Sequence, residues 1–153
     1  LFNHIDVRKE RTFVPSGLIT NNETAAQYDK DIEAAGGIDL QLLGIGCNGH
    51  IGFNEPGTPF GSVTHVVELT QNTREVNSRF FSSIDEVPTK AVTMGIKTVM
   101  NARSIILIAL GASKAQIIRD TIKGEITPNV PASVLQLHPD VTIYVDKEAA
   151  ELI

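Results

Sequence analysis

The sequence lacks the features that would suit a secreted, membrane-bound or nucleic-acid-binding protein. One cysteine excludes an internal disulfide and favours a reducing compartment, the cytoplasm. The net charge is −5 and Lys and Arg form no dense cluster, which argues against nucleic acid or an anionic membrane as the main partner. The longest apolar runs, such as residues 104–110, are far too short to cross a bilayer.

The composition that remains is that of a globular domain. Hydrophobic residues make up 42% and charged residues 20% of 153 residues, enough for one domain with a real core or for part of a larger one. No repeat, low-complexity tract or polar linker interrupts the chain, so we expect a single domain over residues 1–153. Because the sequence begins on Leu1 and Phe2, without an initiator Met or a signal peptide, we expect it to be the C-terminal part of a longer chain.

Strand patterns alternate with helix patterns along the chain. We predict strands at 38–46, 63–69, 90–96, 104–110 and 141–146, and helices at 22–35, 70–81, 96–102, 112–124 and from 147 onward. Asn21 or Asn22 and Thr70 are suitable helix caps. The segment 104–110 has no polar alternation, which predicts burial on both faces of a parallel sheet. The order predicts an open, mainly parallel, doubly wound α/β sheet with flanking helices.

Two loops follow strands at the edge of this sheet where ligands bind. In open α/β sheets, ligands lie in the crevice outside the carboxyl ends of the strands. The loop GIGCNGHIGFNEPG (44–57) follows the first strand, and GASK (111–114) follows 104–110. We therefore look for a functional site in these loops.

Glycines in the first loop have two interpretations. Gly44, Gly46, Gly49 and Gly52 allow backbone amides to approach a polar ligand, or they only shape a tight turn. Glycine alone does not separate the two, and we assign Gly44 and Gly46 to substrate binding. The dinucleotide-binding fingerprint does not fit, because neither the required helix nor a suitably placed acidic residue follows.

His50 is the strongest catalytic candidate in the loop. It lies among glycines on a turn, where it can transfer protons near neutral pH. Glu55 can orient His50 or act as an acid/base itself, although it can also be only a solvated turn carboxylate. Asn48 and Asn54 can bind sugar hydroxyls, although asparagine also occurs in turns for its backbone tolerance.

Cys47 raises two weaker hypotheses. It can pair with His50 as a thiol nucleophile, or Cys47, His50 and Glu55 can ligate a metal. A C-x-x-H unit without a second ligand pair is no zinc signature, and a lone cysteine after a buried strand is usually a packing residue.

Cations for an anionic ligand come from the second loop and from the helix at 70–81. Lys114 opens a helix, where the macrodipole disfavours a cation unless an anion is bound, so it favours a phosphate site. Arg74 and Arg79 lie five residues apart and about 140° apart around the helix axis, so only one is expected to face the site. The spacing does not choose between them.

Together the motifs resemble the glucosamine-6-phosphate deaminase (isomerase) family. LGIGCNGHIGFNEPG, TREVNSRFF, LGASKA and LQLHPDVTIYVD occur in the family's order and spacing over essentially the whole chain. The resemblance implies conversion of glucosamine 6-phosphate and water to fructose 6-phosphate and ammonia, without a metal or organic cofactor. The partner it implies is a small sugar phosphate; members differ in oligomeric state, so a homo-oligomer stays open.

Residue roles follow from the resemblance. His50 matches the ring-opening acid/base and Glu55 the carboxylate that works with it. Asn48 stands where some members have an aspartate; it can orient the ring but cannot stabilise an imidazolium by charge. Arg79 and Lys114 match the phosphate ligands, which selects Arg79 over Arg74.

Parts of the family pattern are absent from the sequence. The glycine-rich phosphate loop and the aspartate proposed as the C2 base would precede Leu1, so we expect the sheet to be incomplete at its N-terminal side. A molecule that starts at Leu1 is expected not to catalyse turnover. The alternatives are a 6-phosphogluconolactonase-like hydrolase, disfavoured by the Asn-Glu-Pro continuation of the motif, and a non-catalytic sugar-phosphate-binding regulator, disfavoured by His50 and Glu55 together.

Overall fold

The computed structural model of the chain describes residues 4–153, which contain five strands in two sheets. The strands are β1 (Leu40–Leu43), β2 (His65–Glu68), β3 (Lys90–Thr93), β4 (Ser104–Ala109) and β5 (Val141–Val145). The main sheet is parallel with the order β1-β4-β5, which confirms the predicted α/β architecture. The other two predicted strands, β2 and β3, pair with each other in antiparallel fashion instead of joining the main sheet.

Helices lie close to the predicted segments, with different divisions. They are α1 (Asn22–Ala25), α2 (Gln27–Ala34), α3 (Gln71–Asn77), α4 (Ile96–Met100) and α5 (Ala115–Lys123). The helix predicted over 22–35 is divided at Ala26. The side chain of Asn21 accepts a hydrogen bond from the Thr24 N–H and caps α1, while Gly36 and Gly37, both at positive φ, follow α2.

Short 3-10 turns replace parts of other predicted helices. The segment 70–81 is α3 followed by the turn Ser78–Phe80, and 112–124 is the turn Ala112–Lys114 followed by α5. The helix predicted from residue 147 is wrong, because residues 147–152 form turns. No helix within residues 4–153 has the length and the apolar character needed to cross a membrane.

The core lies on one face of the main sheet. Ile105 and Leu107 of β4 are fully buried and belong to one apolar cluster with Ile117 and Ile118 of α5. Full burial of each such side chain contributes about 1.5–3 kcal/mol to stability. This packing fixes β4 against the helix that follows the GASK loop.

The opposite face of the sheet is open in the described part of the chain. Leu42 of β1 is 60% exposed, Ile108 of β4 is 42% exposed and Tyr144 of β5 is 57% exposed. The expectation that 104–110 is buried on both faces is therefore wrong for Ile108, and also for Leu110, which is 63% exposed. Side chains alternate across a strand, and α5 covers only the face that carries Leu107.

Candidate active site

The loop at 44–57 folds back on itself directly after β1. The Gly46 N–H donates to the His50 carbonyl over 2.9 Å, and the Gly49 N–H donates to the Gly46 carbonyl over 3.0 Å. Gly49 has φ +85°, a conformation that L side chains rarely adopt, and a Cβ there would also press on Ile117 of α5. The turn therefore requires glycine, and it holds His50 above the end of β1.

Gly46 makes room for the histidine ring. A Cβ at this position would lie 2.3–2.6 Å from three atoms of the His50 imidazole, closer than any real contact. The Gly46 amide, expected to face a substrate, is engaged with His50 inside the turn. Gly46 thus acts on the site by having no side chain, whereas a substrate contact of the exposed Gly44 stays a prediction.

Asn54 anchors the far side of the loop. It is fully buried, and its amide group donates to the Ile51 carbonyl over 2.9 Å and to the Met94 carbonyl over 2.8 Å. The idea that Asn54 binds a sugar hydroxyl is therefore wrong in this structure, because the side chain is inaccessible. Its contact with Met94 connects the loop to the end of β3.

The centre of the site is a contact of His50, Glu55 and Asn48. His50 Nδ1 lies 3.4 Å from Glu55 Oε2, with the two side chains 28% and 26% exposed. This nitrogen is shielded from solvent and makes no hydrogen bond within the described residues, so the two groups are close without being hydrogen-bonded. The structure thus brings the two side chains together, each about a quarter exposed.

Asn48 contacts the carboxylate and the backbone instead of the imidazole ring. Its amide nitrogen donates to Glu55 Oε2 over 2.7 Å, and its oxygen accepts a bond from the His50 N–H over 3.2 Å. The expectation that Asn48 orients the ring directly is therefore not met. It holds Glu55, and Glu55 faces the ring.

Two threonines near the start of α3 complete the surroundings of Glu55. Thr73, 8% exposed, lies with its hydroxyl 3.4 Å from Glu55 Oε1 and 2.9 Å from the Thr70 hydroxyl. Thr70 is also the predicted cap of α3 and accepts the Thr73 N–H over 3.1 Å. Thr73 is not predictable as a site residue, since only the T-x-x-T cap pattern marks it and that pattern gives no sign of a contact 18 residues away.

Lys114 connects the second loop to the first. Its Nζ donates to the Ile45 carbonyl over 2.8 Å and to Cys47 Sγ over 3.3 Å. An ammonium has three N–H donors, so these two contacts leave one for an anion. Asp146, at the end of β5, accepts the Gly111 N–H at 2.9 Å and holds the start of the second loop.

Arg74 and Arg79 have different surroundings. The Arg74 guanidinium donates to the carbonyls of Ile84 and Val87 over 3.0 and 3.3 Å, so it ties α3 to the loop before β3. Arg79 is exposed, and its guanidinium carbon lies 4.8 Å from the centre of the Phe80 ring. Arg79 is therefore the arginine whose donors are accessible to a ligand, although no contact joins it to His50 or Glu55.

Neither cysteine hypothesis gains support. The hydrogen bond of Cys47 is to Lys114, and none to His50 occurs among the described residues, as a thiol nucleophile would need. Within residues 4–153, no three His, Cys, Asp or Glu side chains gather as a metal site would require. Cys47, His50 and Glu55 accordingly do not form a ligand set.

A parallel α/β sheet with a histidine–carboxylate pair and a lysine at its carboxyl edge is an arrangement suited to acid/base chemistry on an anionic ligand. The chain belongs to the family of glucosamine-6-phosphate isomerases and 6-phosphogluconolactonases, which matches residues 1–144. It is 56% identical to the glucosamine-6-phosphate deaminase of Thermoanaerobacter pseudethanolicus over 99% of this chain and 60% of that protein. The deaminase of Bacillus pumilus is also 56% identical, over 99% of this chain and 64% of that protein.

Solved structures of a deaminase and of a 6-phosphogluconolactonase share the fold of this chain. A structure described as a monomeric glucosamine-6-phosphate deaminase has a TM-score of 0.91 at 50% identity, covering 99% of this chain and 64% of that one. The 6-phosphogluconolactonase of Trypanosoma cruzi has a TM-score of 0.62 at 24% identity, covering 85% and 51%, and shows only the shared fold. The chain thus spans slightly less than two thirds of the length of the deaminases it matches.

Proposed function

We propose that this chain carries the acid/base and phosphate-binding part of an enzyme that converts glucosamine 6-phosphate and water to fructose 6-phosphate and ammonia. In this proposal residues 1–153 are one α/β domain of a longer deaminase. The observation that carries the proposal is Glu55, held by Asn48 and facing His50 at the carboxyl edge of the sheet. The identity of 56% to deaminases supports this reaction over lactone hydrolysis.

The proposed chemistry of His50 is proton transfer during opening of the pyranose ring. A neutral imidazole can take the proton of the anomeric hydroxyl, and the imidazolium that results can give it to the ring oxygen as the ring C–O bond breaks. The Glu55 carboxylate, 3.4 Å from Nδ1, stabilises the imidazolium that forms when the ring takes a proton. Asn48 takes no part in proton transfer and acts by holding Glu55.

Lys114 and Arg79 are the proposed phosphate ligands. A phosphate dianion is bound well by an ammonium together with a forked guanidinium, and anchoring it keeps the reacting carbons in register with the acid/base pair. Lys114 is already placed by its bond to Ile45, one residue beyond Gly44. We assign no residue of this chain to the transfer of the proton from C2 to C1.

Rates on two phosphorylated substrates test the proposed function. The complete natural protein is assayed for ammonia release from glucosamine 6-phosphate and for acid release from 6-phosphogluconolactone, with unphosphorylated glucosamine as the control. We expect ammonia release from the first, with equal amounts of fructose 6-phosphate, and at most trace activity on the control. Lactone hydrolysis without ammonia release would favour the hydrolase, and binding without turnover of either would favour a regulator.

A further inference from the structure

Thr73 is the buried polar side chain nearest to the proposed acid/base pair that has no role so far. Its side chain comes from α3, an element that contributes neither His50 nor Glu55 to the site. Its hydroxyl is 3.4 Å from Glu55 Oε1, the oxygen that does not bind Asn48. The two carboxylate oxygens are thus contacted from two different parts of the chain.

The direction of these hydrogen bonds follows from the number of protons available. An ionised carboxylate only accepts, so the Thr73 hydroxyl donates to Glu55. A hydroxyl has one proton, so Thr73 must accept from Thr70, at a separation of 2.9 Å. Thr70, Thr73 and Glu55 thus form a short chain of hydrogen bonds. The Thr70 hydroxyl donates to Thr73, and the Thr73 hydroxyl donates to Glu55.

The backbone of α3 keeps this chain of bonds in place. The Thr73 N–H donates to the Thr70 hydroxyl over 3.1 Å as the cap of the helix, and the Thr73 carbonyl accepts a bond from the Asn77 side chain over 2.8 Å. Thr73 is therefore fixed through its backbone as well as through its side chain. A carboxylate that is held at both oxygens loses the freedom to turn away from His50.

From this geometry we infer that Thr73 is a positioning residue, which holds Glu55 Oε1 so that Oε2 faces His50 Nδ1. The inference rests on the proposed function, in which His50 transfers protons and Glu55 stabilises its imidazolium form. Thr73 does not touch the substrate in this account. Its effect is on the rate of the chemical step and not on the binding of the phosphate group, which other residues anchor.

Thr73→Val in the complete natural protein tests the inference, because valine keeps the shape and removes the hydroxyl. We expect kcat for ammonia release to fall about tenfold and KM to change less than about twofold. Thr73→Ser, which restores a hydroxyl, is expected to recover most of kcat. Thr121→Val is the matched control, since Thr121 is also buried, at 1% exposed, and its hydroxyl has no partner within the described residues.

A second measurement does not depend on turnover. In the NMR spectrum, the side-chain amide of Asn48 reports on Glu55 because it donates to Oε2. Thr73→Val is expected to shift this amide signal, whereas Thr73→Ser and Thr121→Val leave it in place. If the wild type releases no ammonia, the proposed function fails, and the Asn48 signal still decides whether Thr73 places Glu55.

Two results would overturn the inference. One is a Thr73→Val protein with wild-type kcat and an unchanged Asn48 signal. The other is a loss of activity that follows the loss of folded protein in thermal unfolding and is not recovered by serine. The second result would make Thr73 only a packing residue of α3.

Discussion

Two carboxylates in this chain have similar contacts and different surroundings. Glu55 and Asp29 are each partly buried, and each accepts a hydrogen bond from a threonine hydroxyl, Thr73 and Thr98 respectively. Asp29 also accepts the backbone N–H of Thr64 over 2.9 Å, so it joins α2 to α4 and to the segment before β2. Glu55 instead has Asn48 on its second oxygen and a histidine beside it.

The two carboxylates also differ in what surrounds them on their open side. Asp29 borders an open cleft of about 470 Å³ whose other lining includes Glu33 and Lys97 but no histidine. Glu55 lies at the carboxyl edge of the main sheet, between the two loops that follow β1 and β4. The cleft beside Asp29 therefore does not coincide with the candidate active site. A carboxylate becomes a candidate catalyst through its neighbour and its place in the fold.

Replacing the histidine is expected to have the largest effect, because it removes what distinguishes Glu55 from Asp29. His50→Gln should lower the rate on cyclic glucosamine 6-phosphate by about 10²–10⁴-fold, the usual contribution of general acid/base catalysis. The rate on an open-chain analogue should fall much less, since that substrate needs no ring opening. Steady-state rates on both substrates check this, and an equal loss on both would contradict the ring-opening role.

Filling the space beneath the histidine is expected to have the next largest effect. In Gly46→Ala the new methyl group would lie within 2.6 Å of the imidazole, so the ring must move. A displacement of about 1 Å can cost about 10²-fold in rate, and we expect kcat to fall by about that factor. Gly61→Ala is the control, because a Cβ there meets no atom within 4 Å. Similar kcat values for both variants would show that the ring does not depend on Gly46.

Substitutions of the two arginines are expected to have the smallest effects on activity. Like the two carboxylates, Arg79 and Arg74 are expected to differ in role, one in ligand binding and the other in stability. Arg79→Ala should raise the KM for glucosamine 6-phosphate about tenfold, the consequence of losing about 1.4 kcal/mol of phosphate binding, and leave stability unchanged. Arg74→Ala should lower the midpoint of thermal unfolding, because it removes two bonds to the carbonyls of Ile84 and Val87. The reverse pattern, with Arg74 affecting KM and Arg79 affecting stability, would exchange their roles.

Much of the fold follows from local patterns in the sequence. The apolar runs of β1, β4 and β5 predict a parallel sheet, and Asn21 and Thr70 cap helices where expected. The pairing of β2 with β3 is not predictable in this way, because it depends on a register between segments about 25 residues apart. The open sheet face also escapes prediction, since an apolar strand has the same pattern whether one face or both are covered.

The sequence predicts the catalytic pair of the site but not the residues that hold that pair in place. His50 and Glu55 lie five residues apart on one glycine-rich turn, so their closeness is a local property of the loop. The contacts of Thr73 with Glu55 and of Lys114 with Ile45 join residues 18 and 69 positions apart. Such contacts depend on how α3 and α5 pack, which no short motif records. Asn54 shows the same limit, because its burial against Met94 is a tertiary property.

The most direct test of the catalytic role of Glu55 replaces each of the two carboxylates with the neutral amide of the same size. Ammonia release and the midpoint of thermal unfolding are measured for Glu55→Gln and Asp29→Asn in the complete natural protein. We predict that Glu55→Gln loses about 10²–10⁴-fold in kcat with little change in the midpoint, whereas Asp29→Asn lowers the midpoint and keeps kcat. A Glu55→Gln protein that releases ammonia at the wild-type rate would contradict the claim that Glu55 and His50 form the catalytic pair.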